Sequence, residues 1–257
     1  MNSALSGGTT FERVRSALKY AVIAIVTFIV MQAVVVVIHE LTHSTVAWLL
    51  GYMANPFAIV WGNPLTLKGW YEGVSYGTLI KSGHFAAEAI IGVSPLIMHA
   101  IIVTACLIFM RKGMPKNRPL FHLLFWFMAV NFMELIAYIV MCPLCPGDTG
   151  YFNRGLGISP WILFIAGSVA IAFGLYILFE EVVPHMYGFF AQANRLTEWF
   201  ILVLTDFVLF LWGAIRVTSD LYPDPKWMFA LIGFAAFGFV LIAYHPGGRV
   251  TDSAIRN

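Results

Sequence analysis

Charge is the scarcest ingredient of this chain. Asp, Glu, Lys and Arg supply 11% of its 257 residues, whereas 60% are hydrophobic. A soluble domain needs about a quarter of its residues charged, so that class is excluded. Cysteine is rarer still: Cys106, Cys142 and Cys145 are too few for a disulfide scaffold or a four-thiolate metal site. No basic run is interleaved with aromatics, which excludes a nucleic-acid surface, and a net charge of +2 points to no charged partner. The first apolar run lacks a small-residue cleavage signature and is far longer than a signal peptide's core, so it is expected to stay in the mature protein.

The apolar majority falls into six stretches, approximately Leu18 to Leu50, Phe85 to Met110, Leu120 to Met141, Ile158 to Val183, Trp199 to Val217 and Trp227 to Tyr244. Each is long enough to span a bilayer, which predicts an all-α polytopic membrane protein of about six transmembrane helices. Residues 1–157 form a three-helix core, and residues 158–257 add three further helices and a tail. The core is interrupted at residues 51–83, where Gly51, Pro56, Gly62, Pro64, Gly69, Gly73, Gly77 and Gly83 separate short runs such as Phe57 to Trp61 and Leu65 to Leu67. This pattern predicts a small β-hairpin-like, membrane-associated segment after the first helix. Its open edge either captures an extended substrate by strand addition or is only an amphipathic interfacial loop. Trp61, Trp70, Tyr71 and Tyr76 are expected as interfacial anchors.

Inside the first stretch lies His39-Glu40-Leu41-Thr42-His43, an HExxH motif. Residues four apart share a helical face, so both imidazoles can reach one metal about 2.0 to 2.1 Å away. Glu40, one step round, is then beside the open coordination position as a general base. The alternative is a satisfied polar cluster or a non-catalytic metal site. Groups of this kind cost several kcal/mol in hydrocarbon unless coordinated or hydrogen-bonded. As a helix, Leu18 to Leu50 is about 50 Å long against a hydrocarbon thickness of about 30 Å. Apolar residues continue past His43, which puts the motif within the membrane near one face.

A third ligand is expected from the Pro-Gly turn that follows the third stretch, Cys142-Pro143-Leu144-Cys145-Pro146-Gly147-Asp148-Thr149-Gly150. The first and third helices end on the same side of the membrane, so Asp148 can meet His39 and His43. Glu134 is its rival, being carried on the third helix with Asn131 and Tyr138. Cys142 and Cys145 form a CxxC, read as a structural turn or a local disulfide, with metal binding as the alternative. Cys106 is a core residue. Glu88, Glu180, Glu181 and Asp206 are ionisable groups in or near apolar stretches; Asp206 is expected in a structural hydrogen bond, with pairing to Arg216 or a place beside a substrate path as the alternatives. His84, His122, His185 and His245 are expected at the interfaces.

These features resemble the site-2 protease family of intramembrane zinc metalloproteases. The likeness rests on HExxH in a membrane helix, an Ala-Gly-Pro-like helix start at Gly92-Val93-Ser94-Pro95-Leu96, and a Pro-rich turn ending in Asp148-Thr149-Gly150 where the family has Asp-Gly. It covers roughly residues 38–150. It implies Zn2+ held by His39, His43 and Asp148, catalysis by Glu40 with Asn131 lining the site, and a transmembrane protein as substrate. His99 falls near a position where the family has asparagine. Members of the family place the site toward the cytosol. The charge distribution argues otherwise: Arg13, Arg15, Lys19, Arg111, Lys112, Lys116, Arg118, Arg195, Arg249 and Arg256 share the side of the termini, leaving Lys68, Lys81, Arg154, Arg216 and Lys226 opposite. The positive-inside rule then puts both termini of a multi-pass cell-membrane protein in the cytosol. Two other functions fit the same residues: a membrane metallohydrolase of lipid-linked substrates, and a catalytically dead binder of transmembrane helices.

Overall fold

A computed structural model describes residues 9–63, 69–144, 147–213 and 228–246. Helices dominate. They run α1 (Thr10–Leu49), α2 (Tyr76–Lys81), α3 (Phe85–Met110), α4 (Arg118–Met141), α5 (Asp148–Leu156), α6 (Pro160–Ile177), α7 (Val183–Met186), α8 (Arg195–Asp206) and α9 (Met228–Ala243), with β1 (Ile59–Val60) and β2 (Tyr71–Glu72) between α1 and α2. π-helical turns continue α6 through Leu178–Val182, α7 through Tyr187–Ala191 and α8 through Phe207–Trp212.

Local chemistry starts these helices where they start. Thr9 and Glu12 form a reciprocal capping box on α1, Asn117 caps α4, Ser159 caps α6 and Asn194 caps α8, each satisfying backbone donors that a helix N-terminus leaves free. α4 is the central helix, with Phe121, Phe125, Trp126, Met128 and Met133 wholly buried. α6 lies against it through glycines: a Cβ on Gly167 would come within 2.7 Å of Ile139, and one on Gly174 within 2.9 Å of Phe132. The outer faces are apolar and bare. Ile165, Val169 and Phe173 form an exposed stripe at four-residue spacing on α6, and Val22, Val26 and Ile29 are exposed on α1.

Four helical runs are long and apolar enough to cross a membrane: Thr10–Leu49, Phe85–Met110, Arg118–Met141 and Pro160–Ala191. The expected fifth and sixth spans differ from these four. α8 is 12 residues long before its π-helical continuation, and the described apolar part of the last helix is short, Ala230–Ala243. The rest of both stretches, with Arg216 and Trp227, lies outside the described residues, as do Leu65 to Leu67 and Cys145. Side-chain pairs fix the directions of the core. Thr27 meets His122, Gln32 meets Glu134 and His39 meets Tyr138, so α1 and α4 run parallel. His39 meets His99 whereas His43 meets Ile91, so α3 runs antiparallel to both.

Several expectations are corrected. Gly92-Val93-Ser94-Pro95-Leu96 is no helix start, because α3 begins at Phe85 and carries Pro95 inside it. The turn after α4 does not stay unwound to Gly150; Asp148 opens a separate helix, α5. Gly147, with φ of 142°, makes the bend that launches it, a conformation that only glycine adopts without strain. The segment 51–83 holds a two-residue antiparallel ladder, Ile59 opposite Glu72 and Val60 opposite Tyr71, followed by α2. Tyr76 is no exposed anchor: it is buried and stacks face to face on Tyr151, centroids 3.7 Å apart. His122 is likewise buried rather than interfacial, its Nε2 3.1 Å from the Thr27 hydroxyl.

Candidate metal centre

His39 and His43 stand one helical turn apart on the buried face of α1. Their Nε2 atoms lie 3.0 and 3.2 Å from the same oxygen, Oδ2 of Asp148. Two atoms about 2.0 to 2.1 Å from one tetrahedral metal are about 3.3 Å apart. The spacing therefore suits three ligands of a single ion, and these residues form a group that could hold one.

The remaining ring nitrogens decide which atoms are left to bind it. The Phe127 carbonyl can only accept, so Asn131 donates to it from Nδ2 (2.7 Å) and turns Oδ1 toward His99 Nδ1, also at 2.7 Å. His99 then donates from Nδ1, and its Nε2 accepts from His39 Nδ1–H at 3.0 Å. On the other imidazole, Nδ1–H donates to the Ile91 carbonyl at 2.8 Å. That carbonyl lacks its helical backbone donor because its partner four residues on would be Pro95, which has no N–H; the Ser94 hydroxyl also donates to it at 2.8 Å. Both rings therefore present a bare Nε2 lone pair to a carboxylate oxygen. Three electron-rich atoms this close require a positive charge among them, and a metal ion satisfies all three together.

Close backbone packing brings Asp148 there. A Cβ on Gly92 would lie 2.7 Å from Tyr151 Cβ and 2.9 Å from the Asp148 carbonyl oxygen, and one on Gly155 would collide with the Phe85 carbonyl. Glycine at both positions lets α5 lie directly on α3. A half-buried ion pair locks the contact: Glu88 on α3 is fully buried, and Arg154 on α5, itself partly exposed, donates to its Oε1 from Nε at 2.8 Å and also from Nη2.

Glu40 points to the other flank of the site. Its Oε2 accepts from the backbone N–H of Glu72 in β2 at 3.0 Å. The Tyr76 hydroxyl lies 3.4 Å from His43 Nδ1, and burial followed by the charge of Glu72 raises its phenol far above the ordinary value, so it remains neutral. Across the cluster, the Tyr138 ring stacks on His39 at 5.4 Å with its hydroxyl 3.4 Å from Nε2.

His39, His43 and Asp148 thus come together, and Glu40, on the same helix, meets β2. Glu134 does not join them; Gln32 donates to it at 3.3 Å. Asn131 meets His99 and not the His39, His43 and Asp148 group directly. Cys142 is a free thiol that accepts from Asn153 Nδ2 at 3.1 Å. Glu181 pairs with Arg111 at 3.1 Å. Sequence reasoning missed His99 as the partner of His39, the Ile91 carbonyl and the Glu72 amide. Pro95 was the available signal for Ile91, because a proline inside a helix always leaves a carbonyl without its usual donor. No family model, curated protein or solved structure matches this chain.

Proposed function

We propose that the chain is an intramembrane zinc metalloprotease of the site-2 type, hydrolysing peptide bonds in or next to transmembrane segments of membrane proteins. The observation that carries this reading is the convergence of two bare imidazole nitrogens and one carboxylate on a single point, beside Glu40, in a helix apolar enough to cross a bilayer. Two nitrogen ligands and one oxygen, with a fourth position open, suit catalytic zinc. His39, His43 and Asp148 would hold it. When bound there, zinc supplies a Lewis acid that polarises a carbonyl and lowers the pKa of water toward neutrality.

The chain's own groups perform the proton transfers. Glu40 takes the proton of the attacking water and returns it to the leaving amine. Tyr138, its hydroxyl next to His39 Nε2, is the donor best placed for a carbonyl oxygen that gains charge. Asn131 serves one step back, fixing the tautomer of His99 and through it that of His39. A helical amide is hydrogen-bonded and shielded, so the substrate must unwind locally. β2, next to Glu40, offers the unwound stretch a partner.

The test is a reconstituted preparation assayed for zinc and for cleavage of a panel of single-span proteins. Glu40→Gln is expected to keep its zinc while turnover falls at least about a hundredfold. Undiminished cleavage by that variant would refute the assignment of the base, and a zinc-free active protein would refute the whole reading.

A further inference from the structure

The Glu72 amide that holds Glu40 belongs to a strand edge that pairs with no further strand among the described residues. Gly73 donates to the Ala58 carbonyl at 3.2 Å, and Ile59 lies opposite Glu72. In an antiparallel ladder hydrogen-bonded pairs alternate with non-hydrogen-bonded ones. Ala58 and Gly73 are a bonded pair, so Ile59 and Glu72 are not, and the N–H of Glu72 points away from β1. It meets the Glu40 carboxylate at 3.0 Å. Glu40 and the outer edge of β2 therefore satisfy each other. The carboxylate engaged by that amide is aimed at β2.

We infer that the free edge of β2 is an inhibitory latch on Glu40, released when an extended peptide segment pairs with that edge. This rests on the reading of the site as a peptide hydrolase. A strand laid along β2 presents a carbonyl to the Glu72 N–H at the spacing of a regular ladder. Glu40 then loses its resting partner and turns to the water beside His39 and His43. A helical segment cannot release the latch, because its carbonyls are already committed to its own backbone. Hydrolysis is thus confined to substrate that has already unwound.

Two measurements on the full-length, zinc-loaded protein in detergent test the latch. The first is hydrogen exchange at the Glu72 amide. Glu40→Ala removes the acceptor, so exchange there should rise at least about tenfold, the equivalent of one lost hydrogen bond. A Val-Thr-rich decapeptide should restore the protection. Unchanged exchange in Glu40→Ala, or no restoration by the decapeptide, overturns the inference. The second uses Glu72→Pro, which lacks the N–H but leaves the ladder bonds of the neighbouring residues in place. A fluorogenic tripeptide too short to reach β2 should be cleaved at least about fivefold faster in kcat by Glu72→Pro than by the wild type, an effect smaller than one full hydrogen bond, and the decapeptide should lose its kcat advantage over the tripeptide. No gain on the tripeptide, with zinc content and helicity intact, overturns the latch. If the zinc-loaded wild type cleaves neither probe, the hydrolase reading fails, and exchange at Glu72 still decides whether the edge holds Glu40.

Discussion

Replacing Gly92 with alanine tests how the third ligand is positioned. The new methyl would lie 2.7 Å from Tyr151 Cβ and 2.9 Å from the Asp148 carbonyl, neither the end of a flexible side chain. To restore an ordinary 3.4 Å contact, α5 must retreat by about 0.5 to 0.7 Å, the shortfall of those two distances. Overpacking of this kind costs about 1 to 3 kcal/mol. Ligand distances in a metal site tolerate about 0.2 Å, so a retreat of this size pulls the Asp148 carboxylate off the ion or strains both imidazoles. Zinc affinity should fall by about 10 to 100-fold, the usual effect of disturbing a ligand's support, with a lower melting temperature. Competition with a fluorescent chelator on detergent-purified protein measures the first, and thermal unfolding the second. Gly238→Ala is the control, since a Cβ there meets nothing within 4 Å, and it should leave zinc affinity unchanged. A Gly92→Ala protein with wild-type zinc affinity would refute the claim that the contact of α3 with α5 places Asp148.

His99→Leu should orphan His39 Nδ1–H and Asn131 Oδ1 together, costing about 1 to 3 kcal/mol and lowering zinc affinity about tenfold or more; unchanged affinity by the same chelator competition would mean that His99 does not orient His39. Arg154→Met should destabilise the fold by about 1 to 3 kcal/mol, because the fully buried Glu88 side chain loses its hydrogen-bond donor, whereas Arg154→Met combined with Glu88→Gln should recover most of the loss in thermal unfolding. Equal melting temperatures for the single and double variants would contradict a locking role for the ion pair.

The grouping of His39, His43 and Asp148, which could hold a metal ion, was legible because helical periodicity and span parity are simple rules: four residues separate His39 from His43, and α4 ends on the same side of the core as α1. Asp148 followed from being the acidic residue of a turn on that side. Other features depended on chain geometry that spacing does not encode. α5 hides in a segment whose Gly147, Thr149 and Gly150 look like loop, and it exists because Gly92 and Gly155 let it dock. Pro95 looked like the start of a helix, yet α3 accommodates it and passes the freed Ile91 carbonyl to His43. Asn131 looked like a residue of the site itself; His99, from the antiparallel neighbour, intervenes. The short contacts of Glu72 with Glu40 and of Tyr76 with His43 cross from a separate segment onto α1, and no periodicity connects the two.

Zinc K-edge X-ray absorption on the purified wild type, set beside Asp148→Asn, tests the central claim most directly. The account predicts one zinc per chain with two imidazole nitrogens and one carboxylate oxygen at about 2.0 to 2.1 Å, plus a further oxygen from water. Asp148→Asn should lose at least about tenfold in affinity as the charged ligand is removed. A protein that binds no metal, a sulfur in the coordination shell from Cys142, or a wild-type spectrum in Asp148→Asn would contradict it.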